Sequence, residues 1–319
     1  VKCRKKIGVI VKKQEILSQQ ALDWLNDGQA LKGTSDQSRR TFLRNASAAG
    51  LLGGYALAAQ PIQAQQVIAT DFDGIEAGEK SISENGVDLY AYVAKPKSAS
   101  GALPTVIVCS EIFGVHEHIA DIARRFAKQG YMAIAPEFFT RAGDPTTLGT
   151  VAEIIKEIVS QTPDAQVMDD IRACLTWAAK NGADPDRAGI TGFCWGGRIT
   201  WLACAQINQM KAGVAWYGRL VGEKSDNFPL HPVDIAKELK APVLGLYGSA
   251  DTGIPVSTVE QMQAALKQAS TNAAAAKSRF EVYPDAPHAF HADYRDTYRD
   301  GPAKDGWQQC LAWFKQNGV

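Results

Sequence analysis

From about residue 79 onward, short runs of continuous apolar residues alternate with stretches whose apolar positions recur every three or four residues. The first kind reads as buried strand, the second as amphipathic helix. Residues 80–83 and 87–93 flank Asn85-Gly86, a strong hairpin signal. Pro104-Thr105-Val106-Ile107-Val108-Cys109 is an apolar run of the sort covered on both faces in a parallel sheet. Helical spacing follows through Ile119, Ile122, Ala123 and Phe126 and stops at Gly130. The pattern then predicts a strand over 131–135, helices near 151–160 and 167–180, and a strand over 188–191. A helix over 196–207, strands over 212–216 and 243–247, a helix over 256–269, a strand over 279–283 and a terminal helix over 302–316 complete it. This alternation predicts one α/β domain over 65–319: a mostly parallel sheet, helices on both faces, and an N-terminal β-hairpin.

Residues 1–64 follow another pattern. Ser38-Arg39-Arg40-Thr41-Phe42-Leu43-Arg44 precedes an uncharged stretch over 45–60 rich in Ala, Gly and Leu, and Pro61-Ile62-Gln63-Ala64 follows. That is the order of an export signal: basic region, apolar region, cleavage region. The paired arginines before Phe42-Leu43 resemble a bacterial twin-arginine signal. The resemblance implies passage through the twin-arginine translocase in a folded state and a periplasmic or secreted destination. Retention as an uncleaved anchor is the alternative, because Ile62 is not the small residue expected before a cleavage site.

Charge sharpens this division. Net charge is zero over 319 residues, yet residues 1–44 hold ten basic against four acidic side chains and residues 65–319 hold 24 against 30. An acidic body with no basic stripe speaks against a nucleic-acid partner. No run in that body is long and apolar enough to span a bilayer. Cys109, Cys174, Cys194, Cys204 and Cys310 are odd in number and scattered through apolar segments, unlike a disulfide framework. Four of them read as small buried apolar residues; Cys194 does not.

Gly192-Phe193-Cys194-Trp195-Gly196-Gly197 lies where a strand gives way to a helix. It has the form of a G-x-S-x-G nucleophile elbow with sulfur replacing the hydroxyl. A thiol at a helix N-terminus sits beside exposed N–H groups and the positive dipole end, which favour the thiolate. The acid and base of such enzymes follow the nucleophile in that order. Here Asp251 stands just past the strand over 243–247, and His288 lies in a loop beyond the strand over 279–283. Strand ends of an open parallel sheet share one edge, so Cys194, Asp251 and His288 can converge. His288 then takes the thiol proton and Asp251 fixes the imidazole tautomer.

Across about residues 80–317 the chain resembles the dienelactone hydrolase family of α/β-hydrolases. The resemblance rests on Ser110-Glu111-Ile112-Phe113-Gly114, the Cys194 elbow, Gly248-Ser249-Ala250-Asp251 and Pro287-His288-Ala289-Phe290. It implies that Glu111 contacts the resting nucleophile and gates its activation, and that the backbone N–H groups of Ile112 and Trp195 form the oxyanion hole. It also implies an ester or lactone substrate and no cofactor. Arg141 and Tyr217 are the substrate-binding candidates.

Thiol chemistry narrows the substrate. A thiolate is a good leaving group as well as a good nucleophile, so an alkyl ester tends to expel sulfur and revert. An enol ester or strained lactone departs as a stabilised enolate, and water activated by His288 then hydrolyses the thioester. Family members acting on dienelactone hold its carboxylate with arginines, one of them four residues after the catalytic histidine, where this chain has Ala292. Arg141, Arg198, Arg219 and Arg295 are the available substitutes. A small-ester esterase on the same fold and a non-catalytic periplasmic binding or stress protein stay open as alternatives. His116-Glu117-His118 and His288-Ala289-Phe290-His291 hold four of the five histidines, but not at the i, i+4 spacing of a zinc-binding helix, and no metal is expected.

Overall fold

The computed structural model describes residues 69–319; the segment expected to be an export signal lies outside the described residues. The strands are β1 (Ile75–Glu84), β2 (Val87–Pro96), β3 (Leu103–Cys109), β4 (Met132–Pro136), β5 (Ala183–Phe193), β6 (Met210–Trp216), β7 (Val243–Gly248) and β8 (Arg279–Tyr283). The helices are α1 (Glu117–Lys128), α2 (Val151–Glu157), α3 (Asp164–Lys180), α4 (Trp195–Gln206), α5 (Val256–Gln268), α6 (Ala273–Lys277) and α7 (Asp300–Gln316). The sheet order is β1-β2-β4-β3-β5-β6-β7-β8. β4, β3, β5, β6, β7 and β8 run parallel, and the β1–β2 hairpin joins the β4 edge antiparallel. Asn85 (φ 55) and Gly86 (φ 79) both take positive φ, as a type I′ turn between twisted strands demands.

Strand periodicity divides the core between the two faces. Ile107 and Cys109 of β3 pack on one side with Ile171 of α3, Leu202 of α4 and Met262 of α5. Val106 and Val108 pack on the other with Ile122 and Phe126 of α1 and Phe314 of α7. The predicted α/β-hydrolase architecture is the one observed.

The differences are local. β5 begins at Ala183 rather than 188, because Asp184, Pro185, Asp186 and Arg187 carry no apolar signal. The helix expected over 151–160 is α2 plus a separate 3-10 turn, Val159–Gln161. Thr162, which precedes Pro163, is extended (φ −112, ψ 92), as a residue before proline prefers. The pattern gave no sign of α6, a single turn started by the Asn272 side chain accepting from the Ala274 and Ala275 N–H groups. No described helix is long and apolar enough to cross a membrane.

Candidate active site

The thiol is presented by close backbone packing. Cys194 joins β5 to α4 at φ 56, ψ −114, a region that L-residues rarely occupy. A Cβ on Gly192 would stand 2.1 Å from the Gly196 carbonyl oxygen, and one on Gly196 would stand 2.4 Å from that of Cys109. Only glycine permits those approaches. Cys194 N–H donates to the Trp216 carbonyl (3.0 Å), and its own carbonyl accepts from Gly197 N–H (3.0 Å) at the start of α4. The elbow is thus tied to β6 on one side and to its helix on the other.

Asp251 and His288 reach the same edge from the ends of β7 and β8. Their loops interlock: Ala250 N–H donates to the Ala286 carbonyl at 3.0 Å. His288 Nδ1 lies 2.7 Å from Asp251 Oδ2, while Asp251 Oδ1 accepts from Gly253 and Ile254 N–H, both at 2.9 Å. A carboxylate only accepts, so Nδ1 carries a hydrogen, and Nε2 is the acceptor whenever the ring is neutral. The Cys194 thiol acts on the same ring. Burial pushes the imidazole down, but the charges of Asp251 and Cys194 outweigh it and raise His288 well above the ordinary histidine range. Its side chain stays 11% exposed, which leaves an approach for substrate and water. The three residues that the sequence places at separate strand ends are brought together here.

Ile112 and Trp195 stand next to Glu111 and Cys194 in the chain. Neither N–H is spent on a backbone or side-chain acceptor among the described hydrogen bonds.

Glu111 is 2% exposed, and its Oε2 gathers three partners: His116 Nε2 at 3.1 Å, the Tyr294 hydroxyl at 3.0 Å and Arg295 Nη2 at 3.6 Å. Burial would push this carboxyl up; Arg295 and His116 outweigh it and hold Glu111 well below the usual carboxylate range. Tyr294 completes the cluster by accepting from Arg295 Nε at 2.9 Å. His116 and Tyr294 were not foreseen as Glu111 partners. The available sign was His116 five residues beyond Glu111, a spacing that carries no signal of its own.

Two further histidines pack nearby, one on a carboxylate and one among aromatic rings. His118 Nδ1 stands 3.2 Å from Asp293 Oδ1, and Arg125 also grips Asp293, so that its carboxyl falls to about 2 against the upward push of burial. The His291 ring lies 5.3 Å from Phe193 and 4.3 Å from Trp216, and burial holds it well below the histidine range.

The four candidate arginines separate cleanly. Arg141 pairs with Asp170 on α3, and Arg198 makes a bidentate pair with buried Asp164 (2.6 and 2.7 Å). Arg295 sits on Glu111, and exposed Arg219 follows Tyr217 and Gly218 at the end of β6. Both Arg295 and Arg219 interact electrostatically with Cys194. Tyr217 places its ring edge-on to His288, centroids 5.0 Å apart. Of the two proposed substrate contacts, Tyr217 stands beside the triad, whereas Arg141 is engaged on Asp170.

The model of the dienelactone hydrolase family matches residues 89–318. A carboxymethylenebutenolidase-like protein of Methylorubrum extorquens is 52% identical over 294 residues, covering 92% of this chain and 98% of its own. One from Salmonella typhimurium is 54% identical over 265 residues, covering 83% and 96%. A dienelactone hydrolase-like crystal structure from Klebsiella pneumoniae superposes with a TM-score of 0.73 at 57% identity, covering 76% of this chain and 100% of that one.

Proposed function

The chain belongs to the dienelactone hydrolase family, and from that premise we propose that it hydrolyses an activated ester or lactone through an acyl thioester on Cys194. The observation that carries this is the His288–Asp251 hydrogen bond on an imidazole that Cys194 also acts on, with no acceptor for the Ile112 and Trp195 amides among the described hydrogen bonds. Cys194 gives its thiol proton to His288 Nε2 as Sγ attacks the carbonyl carbon, and the carbonyl oxygen turns its growing charge toward the N–H groups of Ile112 and Trp195. As the carbon–oxygen bond breaks, its electron pair leaves with the departing oxygen, which takes a proton from His288 Nε2. Water then gives its proton to His288 and attacks the thioester, and Cys194 is regenerated.

Glu111 and Arg295 set the substrate's charge. A buried guanidinium on a buried carboxylate is a site for a second carboxylate, because a substrate anion can share or displace Glu111 on Arg295. Glu111, once released from Arg295, is free to turn toward Cys194, so binding and activation become linked. Export through the twin-arginine route remains part of this proposal; it rests on Arg39-Arg40 and the apolar stretch after them.

The test is the ultraviolet loss of cis- and trans-dienelactone and of an uncharged activated ester, with Cys194→Ala and Arg295→Gln alongside. Expected are lactone turnover abolished in Cys194→Ala and a raised lactone KM in Arg295→Gln. Ester cleavage without lactone turnover in the wild type would discard the carboxylate-bearing substrate. Turnover of either that persists in Cys194→Ala would discard the thioester.

A further inference from the structure

Tyr217 breaks two rules at once. It closes β6 at φ 38, a strained backbone for a bulky side chain. Its N–H is nevertheless fixed on the Leu246 carbonyl at 2.8 Å. The next residue, Gly218, presses on α4 so closely that a Cβ there would stand 2.4 Å from the Gly197 carbonyl carbon. The side chain is 0% exposed, and its hydroxyl has no hydrogen-bond partner. Other buried tyrosines find one: Tyr247 donates to the Gly218 carbonyl (2.8 Å) and Tyr283 to Asp305 (2.7 Å). Of the described tyrosine hydroxyls, only that of Tyr217 is both fully enclosed and unpartnered. An enclosed, unpaired hydroxyl on strained backbone is destabilising twice over. Such violations concentrate where a ligand supplies the missing partner.

The surroundings say which ligand atom that is. The ring packs edge-on against His288 (5.0 Å) and Phe290 (5.3 Å), which fixes its direction. The hydroxyl lies in the electrostatic reach of Glu111, Tyr294, Arg295 and Cys194. Burial first, then the neighbouring Glu111, pushes the phenol well above its ordinary range, so it keeps its proton and acts only as a neutral donor. An ester carbon under attack bears two oxygens. The carbonyl oxygen has the amides of Ile112 and Trp195; the departing oxygen has a proton from His288 but no fixed donor to orient it.

We infer that the Tyr217 hydroxyl donates a hydrogen bond to the departing oxygen of the substrate as the acyl group passes to Cys194. The inference rests on the ester-hydrolase reading. In this step the carbon–sulfur bond forms and the carbon–oxygen bond breaks. The released electron pair stays on the departing oxygen, the proton delivered to it comes from His288, and Tyr217 retains its own. The hydrogen bond strengthens as negative charge grows on that oxygen, so it favours the transition state over bound substrate. It contributes most when the leaving group is poorly stabilised. The tyrosine thereby widens the range of esters a thiolate can cleave beyond those with the most acidic leaving groups.

The experiment is Tyr217→Phe in the full chain, which removes one oxygen and keeps the ring on His288. kcat/KM, which reports acylation, is measured over a series of acetate esters from p-nitrophenyl to simple alkyl-enol leaving groups. The expected loss is about 10- to 100-fold for the least acidic leaving groups, shrinking toward none for p-nitrophenyl, so that dependence on leaving-group acidity steepens. The melting temperature of Tyr217→Phe is expected to equal or exceed that of the wild type, since an unpaired buried hydroxyl is gone. An equal loss across the series, no loss at all, or a melting temperature several degrees lower would overturn the inference. If the wild type itself shows no Cys194-dependent hydrolysis of any ester, the hydrolase reading falls first and this role with it.

Discussion

Asp251→Asn tests the triad while leaving its shape almost intact. Asp251 Oδ1 accepts from Gly253 and Ile254 N–H at 2.9 Å each, so the amide oxygen of an asparagine is held in that place. Its NH2 group then faces His288 Nδ1 across the present 2.7 Å contact. An NH2 group donates, so Nδ1 must accept and the ring hydrogen moves to Nε2. That nitrogen points to the thiol, and it can no longer take the proton. The imidazolium also loses a charge-assisted hydrogen bond worth about 1.5–3 kcal/mol, roughly 10- to 150-fold in rate. Tautomer inversion adds to this, and the combined loss in kcat/KM is about 10^3- to 10^4-fold, as in other triads. Because the two backbone contacts persist, the loop should fold normally. Stability against pH gives a second check. His288 is raised in the folded state, so its contribution is complete below the unfolded value of about 6.5 and is lost as pH rises through the higher folded one. In Asp251→Asn that contribution is removed, and the stability gap to the wild type should narrow toward alkaline pH. Ester hydrolysis and urea unfolding across pH 5–10 measure both effects. Activity within tenfold of wild type, with an intact fold, would refute the assignment of Asp251.

Glu111→Gln leaves Arg295 buried opposite a neutral amide and should cost about 3–5 kcal/mol at pH 7 by chemical denaturation. Glu111 is depressed in the folded state, so its contribution is present above the unfolded value of about 4.3 and fades as pH falls toward the folded one; the two proteins should converge in acid. Gly196→Ala sets a methyl against the Cys109 and Ser110 carbonyl oxygens (2.4 and 2.6 Å), which are backbone atoms unable to yield. Loss of soluble protein, or at least about 3 kcal/mol of stability, is expected on expression and thermal melting. Asp164→Ala strands Arg198 four residues from the nucleophile, and a loss of about 3–5 kcal/mol in urea unfolding is expected, with Asp164→Ala/Arg198→Met recovering most of it.

Much of this molecule is legible in its sequence because local signals and global topology agree. Asn85-Gly86 announces the hairpin, and the apolar runs at 104–109 and 243–247 announce strands covered on both faces. The glycines around Cys194 mark a turn that no larger residue fits. The meeting of Cys194, Asp251 and His288 could be expected because strand ends converge on one edge, a rule of topology rather than of side-chain detail. What stayed hidden depends on side-chain packing between distant segments. Tyr294 and Arg295 meet Glu111 across more than 180 residues of chain, and nothing local to either announces it. Arg141 carried no mark distinguishing a substrate anchor from a partner of Asp170. His116-Glu117-His118 suggested a metal by residue type alone, but in three dimensions His116 turns to Glu111 and His118 to Asp293. Residues 184–187 carry no apolar signature because they form an irregular stretch: Ala183 pairs with Leu103 and Ala188 with Thr105, and the four between them have no strand partner.

The central claim is that acyl transfer passes through Cys194. It is met most directly by intact-mass spectrometry of the full chain quenched in acid during turnover of an activated ester, with peptide mapping of the adduct. A mass increase of one acyl group on Cys194, released by hydroxylamine, is expected, with neither adduct nor turnover in Cys194→Ala. Turnover undiminished in Cys194→Ala, or an acyl group mapped to another residue, would contradict it.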